Sequence, residues 1–523
     1  MRRPLFTAII TLFLLPLLGC SIGCHALSPI SHRCMYDEIM QNTSLPQLKM
    51  VRELPRKDRG AWQAYVASTE DDAGDWAPIR IVVSDKDLRD PSKYCTTMGE
   101  LRPTFMGYNK ECQMHDILTS RTRAELLQNV FPSAIKLHSD RLSVRRMSSP
   151  LIVPTSIKES HCKHFTIPEE HHTTGVKDAD AVIYLAAGTY LTFAIPCFAV
   201  TKDVRPTVGA MSFSLSGIHH FWFAVRVIAH ELAHVIGFNY GQMSAQNMLR
   251  TVSTDYFNKR DGIVTSVLTK QKAAEHYNCK SIQGMPMKEE YGDDSLIHSH
   301  WSRRYAKDDL MSSMVSSGTG FYTAMTLAAF EDMGFFKANF SMAETMRWGK
   351  NVGCGFVNQN QCKPDDHKNY PEMFCPYDSS QIKRQCTSDR VYLGVCSSGY
   401  DDQCSFIQPM GHGSCRDPES NLDGSRTGKS SWCLDGESLK VNTEVIETEP
   451  KVVSVDGVCV EVFCGKNEVS VRYLGDDDWH ECPEGGKISP AKTSVDFAGG
   501  YIKCPRYSEV CTITPSGRSG VPL

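Results

Sequence analysis

Residues 221–238 read FWFAVRVIAHELAHVIGF, an apolar run typical of a helix buried on most of its faces. The run contains the pattern His-Glu-x-x-His at His230, Glu231 and His234. Helical residues four apart share a face and lie about 6 Å apart along the axis, so both imidazoles can point at one ion. Glu231 falls on a neighbouring face, from which its carboxylate can reach a water without coordinating the ion. The run therefore predicts a buried helix that carries a metal site.

The residue types in this pattern indicate zinc-dependent hydrolysis. Zinc accepts imidazole ligands, lowers the pKa of a bound water and polarises a carbonyl group. A nearby carboxylate can take the proton of the water and later give it to the leaving amine. Chance copies of the pattern also occur, mostly on polar surface helices. Two imidazoles and a carboxylate in an apolar helix are costly to bury unless they are used, so we expect one zinc ion per chain.

A catalytic zinc usually has a third protein ligand, and the residues alone leave its identity open. Gly237 lets the chain turn after the second histidine. In the compact metzincin pattern a histidine would follow three residues later, but Tyr240 stands there. The ligand must come from farther along the chain, where the candidates are three histidines and, as in thermolysin-like enzymes, two glutamates: His276, His298, His300, Glu289 and Glu290.

The amino terminus has the layout of a signal peptide. Arg2 and Arg3 precede an apolar run at residues 6–18, and small residues follow up to Ala26. The run is short for a membrane span and contains Pro16, so we expect export with removal of residues 1–26. The net charge is only −4 and no basic stripe is present, which argues against a nucleic-acid partner.

The cysteines agree with an oxidising compartment. Two of the 21 cysteines, Cys20 and Cys24, lie in the expected leader, so an odd number remains and one thiol should be unpaired. Cysteines are dense after residue 354, together with Gly, Pro and short strand-like runs, which predicts a β-rich domain braced by disulfides. Asn42 and Asn339 begin glycosylation motifs.

Several further elements are predicted from hydrophobic periodicity and turn residues. The expected strands are residues 79–83, 181–185 and 208–213, and the expected helices are residues 121–128 and 322–333, the second ending at Gly334. Residues 27–72 are polar and charge-rich, which fits a removable pro-segment or a flexible extension. We also expect the strand at 208–213 to be a sheet edge that pairs with an extended substrate.

Ordered blocks of the sequence resemble one family over most of the chain after residue 76. They are residues 76–84 (WAPIRIVVS), 87–91, 226–238, 299–301 (SHW), 309–311 (DLM), 320–326 (GFYTAMT) and 348–354 (WGKNVGC). Together these blocks are similar to the leishmanolysins, the major surface metalloproteases. The resemblance implies that His230, His234 and His300 bind zinc, that Glu231 is the general base, and that Met311 is the Met-turn residue beneath the site.

The segment Ser31–Asp37 is similar to the pro-segment motif of the same family and contains Cys34. A cysteine thiolate binds zinc strongly, so it can occupy the position of the water until the pro-segment is cut away. Without Cys34 and the leader, the remaining cysteines are even in number and can all pair. Both observations favour Cys34 as the latency residue.

The resemblance implies a mixed α/β (α+β), metzincin-like fold with a twisted sheet above the active-site helix. The expected division is a signal peptide at 1–26, a pro-segment with a cysteine switch at 27–72, an N-terminal catalytic subdomain at 73–239, a central subdomain with the third ligand and the Met-turn at 240–357, and a disulfide-rich C-terminal domain at 358–523.

The expected function is that of a secreted or cell-surface zinc metalloendopeptidase acting on proteins or peptides. The alternatives are a non-catalytic, zinc-containing glycoprotein of cell adhesion and a zinc hydrolase with a non-peptide substrate; Glu231 argues against the first and the cysteine-bearing pro-segment against the second. Leishmanolysins often carry a hydrophobic tail that is exchanged for a GPI anchor, whereas the residues after Cys511 are not apolar. We therefore expect a soluble form, with other membrane association left open.

Overall fold

The computed structural model describes residues 31–41, 76–188, 192–198, 202, 204–215, 221–254, 259–289, 297–316, 320–359, 362–363, 365–376, 384–398, 405–443 and 451–512. The expected signal peptide and most of the expected pro-segment lie outside these residues, as does the glycosylation motif at Asn42. Helices and strands occur throughout the described ranges, so the fold is a mixed α+β fold.

The strands are β1 (Ser31–Arg33), β2 (Trp76–Pro78), β3 (Ile81–Ser84), β4 (Leu101–Pro103), β5 (Asn109–Glu111), β6 (Leu142–Arg145), β7 (Ala181–Ala187), β8 (Phe193–Pro196), β9 (Val208–Phe213), β10 (Leu249–Thr254), β11 (Lys259–Val264), β12 (Met285–Glu289), β13 (Ile297–Trp301), β14 (Met314–Ser316), β15 (Lys337–Ala338), β16 (Gln385–Cys386), β17 (Tyr392–Ser398), β18 (Ser405–Ser414), β19 (Ser431–Thr443), β20 (Lys451–Cys464), β21 (Val469–Arg472), β22 (His480–Glu481), β23 (Lys487–Ile488) and β24 (Phe497–Lys503).

The α-helices are α1 (Tyr36–Gln41), α2 (Lys86–Arg89), α3 (Ser120–Glu125), α4 (Phe131–Ser139), α5 (Glu169–Thr173), α6 (Phe221–Ile236), α7 (Tyr240–Ala245), α8 (Val267–Tyr277), α9 (Arg303–Ala306), α10 (Ala324–Asp332), α11 (Cys354–Val357), α12 (Asp366–Asn369) and α13 (Tyr507–Val510). A π-helical turn at Leu126–Val130 joins α3 to α4, which makes the helix expected at residues 121–128 part of a longer helical stretch.

One sheet, in the order β3-β7-β9-β8, lies above the metal-site helix. Strands β3, β7 and β9 run parallel, and β8 pairs antiparallel with β9. The strand β9 has the bounds expected from the sequence, but it lies inside the sheet. The expectation that Val208–Phe213 forms an edge is therefore wrong, because β8, the strand that precedes β9 in the chain, pairs along its other side.

Helix α6 is the central helix of the fold, and Trp222–Ile236 are all buried in it. It packs so closely against β9 that a Cβ at Gly209 would overlap the side chain of Val235. The helix ends at Gly237, whose φ of +133° is accessible mainly to glycine. The sequence predicted this turn, and it directs the chain into α7.

The length and composition of Phe221–Ala245 would also suit a membrane span, but 94% of its most apolar window is buried inside the protein. Burial of this extent is typical of the core helix of a folded domain, which is how α6 packs here.

A second, antiparallel sheet in the order β10-β11-β12-β13 brings a distant segment to α6. The edge strand β13 carries His300, and the turn after it returns so that the Trp301 N–H donates to the Met311 carbonyl at 2.9 Å. The strand β1 pairs antiparallel with β14, just beyond this turn. Strands β1, β13 and β14 are thus held beside the metal-site helix α6.

The region after residue 384 is rich in β-structure, as expected. Its larger sheet has the order β22-β21-β20-β19-β24-β23, and a smaller sheet has the order β16-β17-β18. The disulfides whose two cysteines are both described are Cys95–Cys112, Cys162–Cys197, Cys279–Cys354, Cys375–Cys396, Cys386–Cys433, Cys415–Cys459, Cys464–Cys511 and Cys482–Cys504. Among the described cysteines only Cys34 is free, which confirms the odd thiol.

Candidate metal centre

Four possible metal ligands from three parts of the chain meet at one point. His230 and His234 come from α6, His300 from β13, and Cys34 from the link between β1 and α1; all four are buried, and their ligand atoms lie within 4.8 Å of one another. The Nε2 atom of His234 lies 3.1 Å from Nε2 of His230 and 3.1 Å from Nε2 of His300. The remaining pair of Nε2 atoms is 3.3 Å apart.

The opposite ring nitrogens have hydrogen-bond acceptors, and these fix the orientation of each imidazole. Nδ1 of His230 lies 2.5 Å from the Leu310 carbonyl oxygen, and Nδ1 of His234 lies 2.7 Å from the Phe238 carbonyl oxygen. A carbonyl oxygen can only accept, so both Nδ1 atoms carry the proton and both Nε2 atoms present a lone pair. This arrangement around a ligating histidine is common in metal sites.

The distances and protonation states fit a zinc ion. Three nitrogens at about 2.0–2.1 Å from a tetrahedral zinc are separated by about 3.3 Å, close to the spacing of the three Nε2 atoms. Burial, followed by the charges of the neighbouring histidines, holds the pKa of His230 well below its usual range. Burial lowers the pKa of His234 to about 4. The converging Nε2 lone pairs of the neutral His230 and His234 rings repel one another unless a cation lies between them.

Glu231 lies beside this cluster, is fully buried, and has a separate contact for each oxygen. Its Oε2 accepts the Ala194 backbone N–H of β8 at 2.8 Å, and its Oε1 lies 2.7 Å from Nε2 of His32. The first contact ties the carboxylate to the sheet above the helix. The second contact comes from the segment that precedes Cys34.

The segment around Cys34 covers the centre from one side. The Tyr36 ring stacks on the His234 ring, with centroids 4.4 Å apart and an interplanar angle of 16°. The Asp37 carboxylate lies 2.8 Å from Nδ1 of His300 and accepts the Ser299 backbone N–H at 2.8 Å. Burial, then the charge of Glu231, raises the pKa of the Cys34 thiol well above its usual range. A bound cation acts in the opposite direction and favours the thiolate.

Comparison with known proteins agrees with this geometry. The family model for leishmanolysin matches residues 32–399 and 397–517. The chain is 30% identical to leishmanolysin of Leishmania donovani over 524 aligned positions, which cover 92% of this chain and 86% of that protein.

The chain belongs to the leishmanolysin family. It is also 30% identical to a leishmanolysin homolog of Crithidia fasciculata, over 85% of this chain and 72% of that protein. A ciliated left-right organizer metallopeptidase of Danio rerio is 25% identical over 66% of this chain and 58% of its own length. As a member of the family, the protein is a zinc metallopeptidase with a metzincin-like fold, and its cluster of three histidines and one cysteine is consistent with a zinc site closed by a cysteine switch.

The turn that contains Met311 is connected to the metal centre through the residue that precedes Met311. Met311 is fully buried, its N–H donates to Oδ1 of Asp309 at 2.7 Å, and the preceding Leu310 carbonyl holds His230. The Asp309 carboxylate also accepts the hydroxyls of Thr323 and Thr326. Burial raises the pKa of Asp309 to about 6. The turn is therefore fixed by a hydrogen-bonded carboxylate.

The structure separates the candidates for the third ligand. It brings His300 to the cluster, whereas Nε2 of His276 lies 2.9 Å from the Trp348 carbonyl oxygen, away from it. The candidate His276 therefore does not belong to the cluster. The side chains of His298, Glu289 and Glu290 lie outside the described residues.

The contacts of His32, Tyr36 and Asp37 with the centre were not predicted from the sequence. All three stand in the segment that resembles the pro-segment motif, and each lies two or three positions from Cys34. That spacing was the available signal, but only the tertiary contacts show that each touches a different residue of the centre.

Proposed function

We propose that this protein is a secreted zinc metalloendopeptidase that is made as a latent precursor and hydrolyses internal peptide bonds of proteins. The observation that supports this most directly is the convergence of three Nε2 atoms beside a carboxylate whose two oxygens have different partners. The three nitrogens can hold one metal ion, and the carboxylate beside them can move one proton.

In this proposal His230, His234 and His300 hold the zinc ion. When bound, zinc supplies the Lewis acidity that polarises the scissile carbonyl and acidifies a water. The neutral state of the buried His230 and His234 rings keeps their Nε2 lone pairs available as ligands. The hydrogen bonds at Nδ1 hold the ring planes, so little reorganisation accompanies metal binding.

Glu231 is the proposed general base. The Ala194 N–H fixes Oε2, so the other oxygen, Oε1, is left to act on the proton of the water. In the precursor this oxygen is bonded to His32. Once the pro-segment has left, Oε1 can take the proton and transfer it to the leaving amine.

An extended substrate is proposed to run along β8. This strand pairs only with β9 among the described strands, so apart from the Ala194 N–H, which Glu231 accepts, its outer edge is proposed to be available for pairing. Ala194 in β8 also contacts Glu231, which places this edge next to the proposed general base.

Latency is proposed to depend on the segment Ser31–Gln41 as a whole. Cys34 supplies a fourth ligand, His32 occupies the proposed base, and Asp37 binds the outer nitrogen of His300. The β1–β14 pairing adds backbone hydrogen bonds on the same side. Cutting the chain after this segment would release these contacts together.

The domain division and the location of the protein are parts of the same proposal. Residues 27–72 would form the pro-segment, 73–239 and 240–357 the two halves of the catalytic unit, and 358–523 the C-terminal domain. The disulfides are typical of a protein that folds outside the cytosol, which supports an extracellular or cell-surface location.

The proposal is tested with processed protein by measuring zinc content and cleavage of a protein substrate. We expect about one zinc per chain, loss of cleavage with a chelator, and recovery with added zinc. His300→Ala should lower both zinc content and cleavage, whereas the exposed Glu111→Gln should change neither.

Glu231→Gln separates catalysis from metal binding. We expect it to keep zinc and lose about 10²–10⁴-fold in kcat/KM, the usual contribution of a general base. Zinc-containing wild-type protein that cleaves no peptide bond would instead support the non-catalytic adhesion protein.

A further inference from the structure

Arg416 is a buried arginine without a hydrogen-bond partner in the described part of the protein. Only 7% of the residue's surface is exposed to solvent, and all three guanidinium nitrogens are buried and form no hydrogen bond. Two other buried arginines show the usual arrangement, because Arg141 and Arg226 both bond to the Glu344 carboxylate. Arg416 lacks such a partner.

Two indole rings surround the guanidinium instead. Its Cζ atom lies 4.2 Å from the ring centroid of Trp432 and 5.1 Å from that of Trp222. Ring faces attract a cation, but they accept few of the five N–H groups of arginine. The contacts therefore hold the cation in place and leave its donors unsatisfied.

No described carboxylate completes the site. Asp389 is the acid whose charge acts on Arg416, but it forms no ion pair with it within 4.0 Å. One oxygen of Asp389 already accepts the Thr387 hydroxyl and the Val391 N–H. Burial lowers the pKa of Arg416 to about 10, so the side chain is still charged at neutral pH. A buried charge that forms neither a hydrogen bond nor an ion pair is strongly unfavourable.

We propose that Arg416 binds a small monovalent inorganic anion, chloride in the natural setting of the protein. Trp222 and Trp432 lie against the guanidinium and its nitrogens are buried, so a small ion suits this site better than a larger organic acid. Water could accept the N–H groups, but it would not neutralise the charge. A single negative charge meets both requirements.

The position of the site gives the anion a structural consequence for the catalytic unit. Trp222 is in the first turn of α6, about 12 Å along the axis from His230, whereas Arg416 and Trp432 belong to the C-terminal region. Binding would attach that region to the start of the metal-site helix. This inference is independent of the proposed peptidase activity.

The first test is thermal unfolding of the full-length protein in chloride or gluconate at one ionic strength. Chloride well above its Kd should raise Tm by about 2–4 °C, because an anion that binds only the folded state stabilises it. Arg416→Gln should abolish this difference. The matched control is Arg472→Gln, since Arg472 lies 4.7 Å from the Trp479 ring centroid but already pairs with Glu461. This variant should keep the chloride response.

Bromide provides a second test that needs no variant. A crystal of the wild-type protein soaked in bromide should show an anomalous peak within hydrogen-bonding reach of the Arg416 guanidinium. A chloride response that persists in Arg416→Gln, or a bromide-soaked crystal without a peak there, would overturn the proposal. Either result would show that solvent or packing alone accommodates this charge.

Discussion

His32 and Cys34 act on different residues of the same centre, although they are only two positions apart. Cys34 lies among the three histidines, whereas His32 bonds to Oε1 of Glu231. Removing the thiol therefore opens a ligand position and leaves the carboxylate occupied. Latency in this protein should have two separable parts.

We predict that the Cys34→Ala precursor is partly active and that adding His32→Ala raises its activity by about tenfold more. A hydrogen bond to a charged group contributes about 1.5–3 kcal/mol, and about 1.4 kcal/mol corresponds to a factor of ten. The measurement is peptide cleavage by an uncut precursor, made resistant to processing. The exposed His115→Ala serves as the control and should have no effect. A double variant no more active than Cys34→Ala would show that His32 plays no part in latency.

Helices α4 and α6 are joined through a buried histidine. His138 on α4 bonds through Nε2 to the Ala229 carbonyl of α6, and through Nδ1 to the Tyr322 hydroxyl. Burial lowers the pKa of His138 to about 4, from an ordinary value of 6.5. The unfolded chain therefore binds this proton at a higher pH than the folded chain does.

The sign of this shift predicts acid sensitivity. The contribution of His138 to stability is complete above pH 6.5 and is lost as the pH falls towards 4, by up to about 1.4 kcal/mol per pH unit. Urea unfolding at several pH values should show a shallower pH dependence for His138→Gln than for the wild type. The exposed His115→Gln should match the wild type, and equal slopes in all three proteins would contradict the prediction.

The approach of α6 to the sheet depends on Gly209. A methyl group there would overlap the Val235 side chain, so Gly209→Ala should lower the free energy of unfolding by about 1–3 kcal/mol, the usual cost of overpacking a core. Because Val235 follows His234, activity should also fall. Adding Val235→Ala should restore part of both. Gly428→Ala, where the nearest atom would be 3.8 Å away, is the control for unfolding measured by denaturant. No recovery in the double variant would mean that the two residues do not determine this spacing.

The elements show which features are predictable from sequence. The pair His230 and His234 was predictable because both lie on one helix, where spacing determines direction. The bounds of β9 were also predictable, but its place inside the sheet depends on β8, and no local pattern encodes that pairing. His300 lies on β13, far along the sequence from α6 and in a different sheet from β9. Only the family resemblance therefore indicated it as a ligand. The neighbours of Asp37 and Arg416 come from distant segments of the chain, and hydrophobic periodicity does not predict such contacts.

At the scale of the molecule, the C-terminal region shares buried side chains with the catalytic part. The Trp348 ring packs edge-on against Phe374 and Phe406, with centroids 5.4 and 6.2 Å apart. The Lys307 ammonium donates to the Ser388 hydroxyl at 3.0 Å and is itself buried. Removing the C-terminal region would expose the indole of Trp348 and leave the buried Lys307 without one of its hydrogen-bond acceptors.

We therefore predict that a chain ending at residue 357 will not give soluble, zinc-containing protein. The cut would expose the faces of Trp348 and Trp222 that now contact Phe374 and Arg416, and exposed apolar patches of this kind promote aggregation. Soluble yield and zinc content after secretion provide the measurement. The matched control is the full-length chain carrying Glu231→Gln, which should be secreted normally because it loses only the proposed base. A soluble shortened chain with full zinc content would show that the region from 358 is an independent module, and that the catalytic half folds without it.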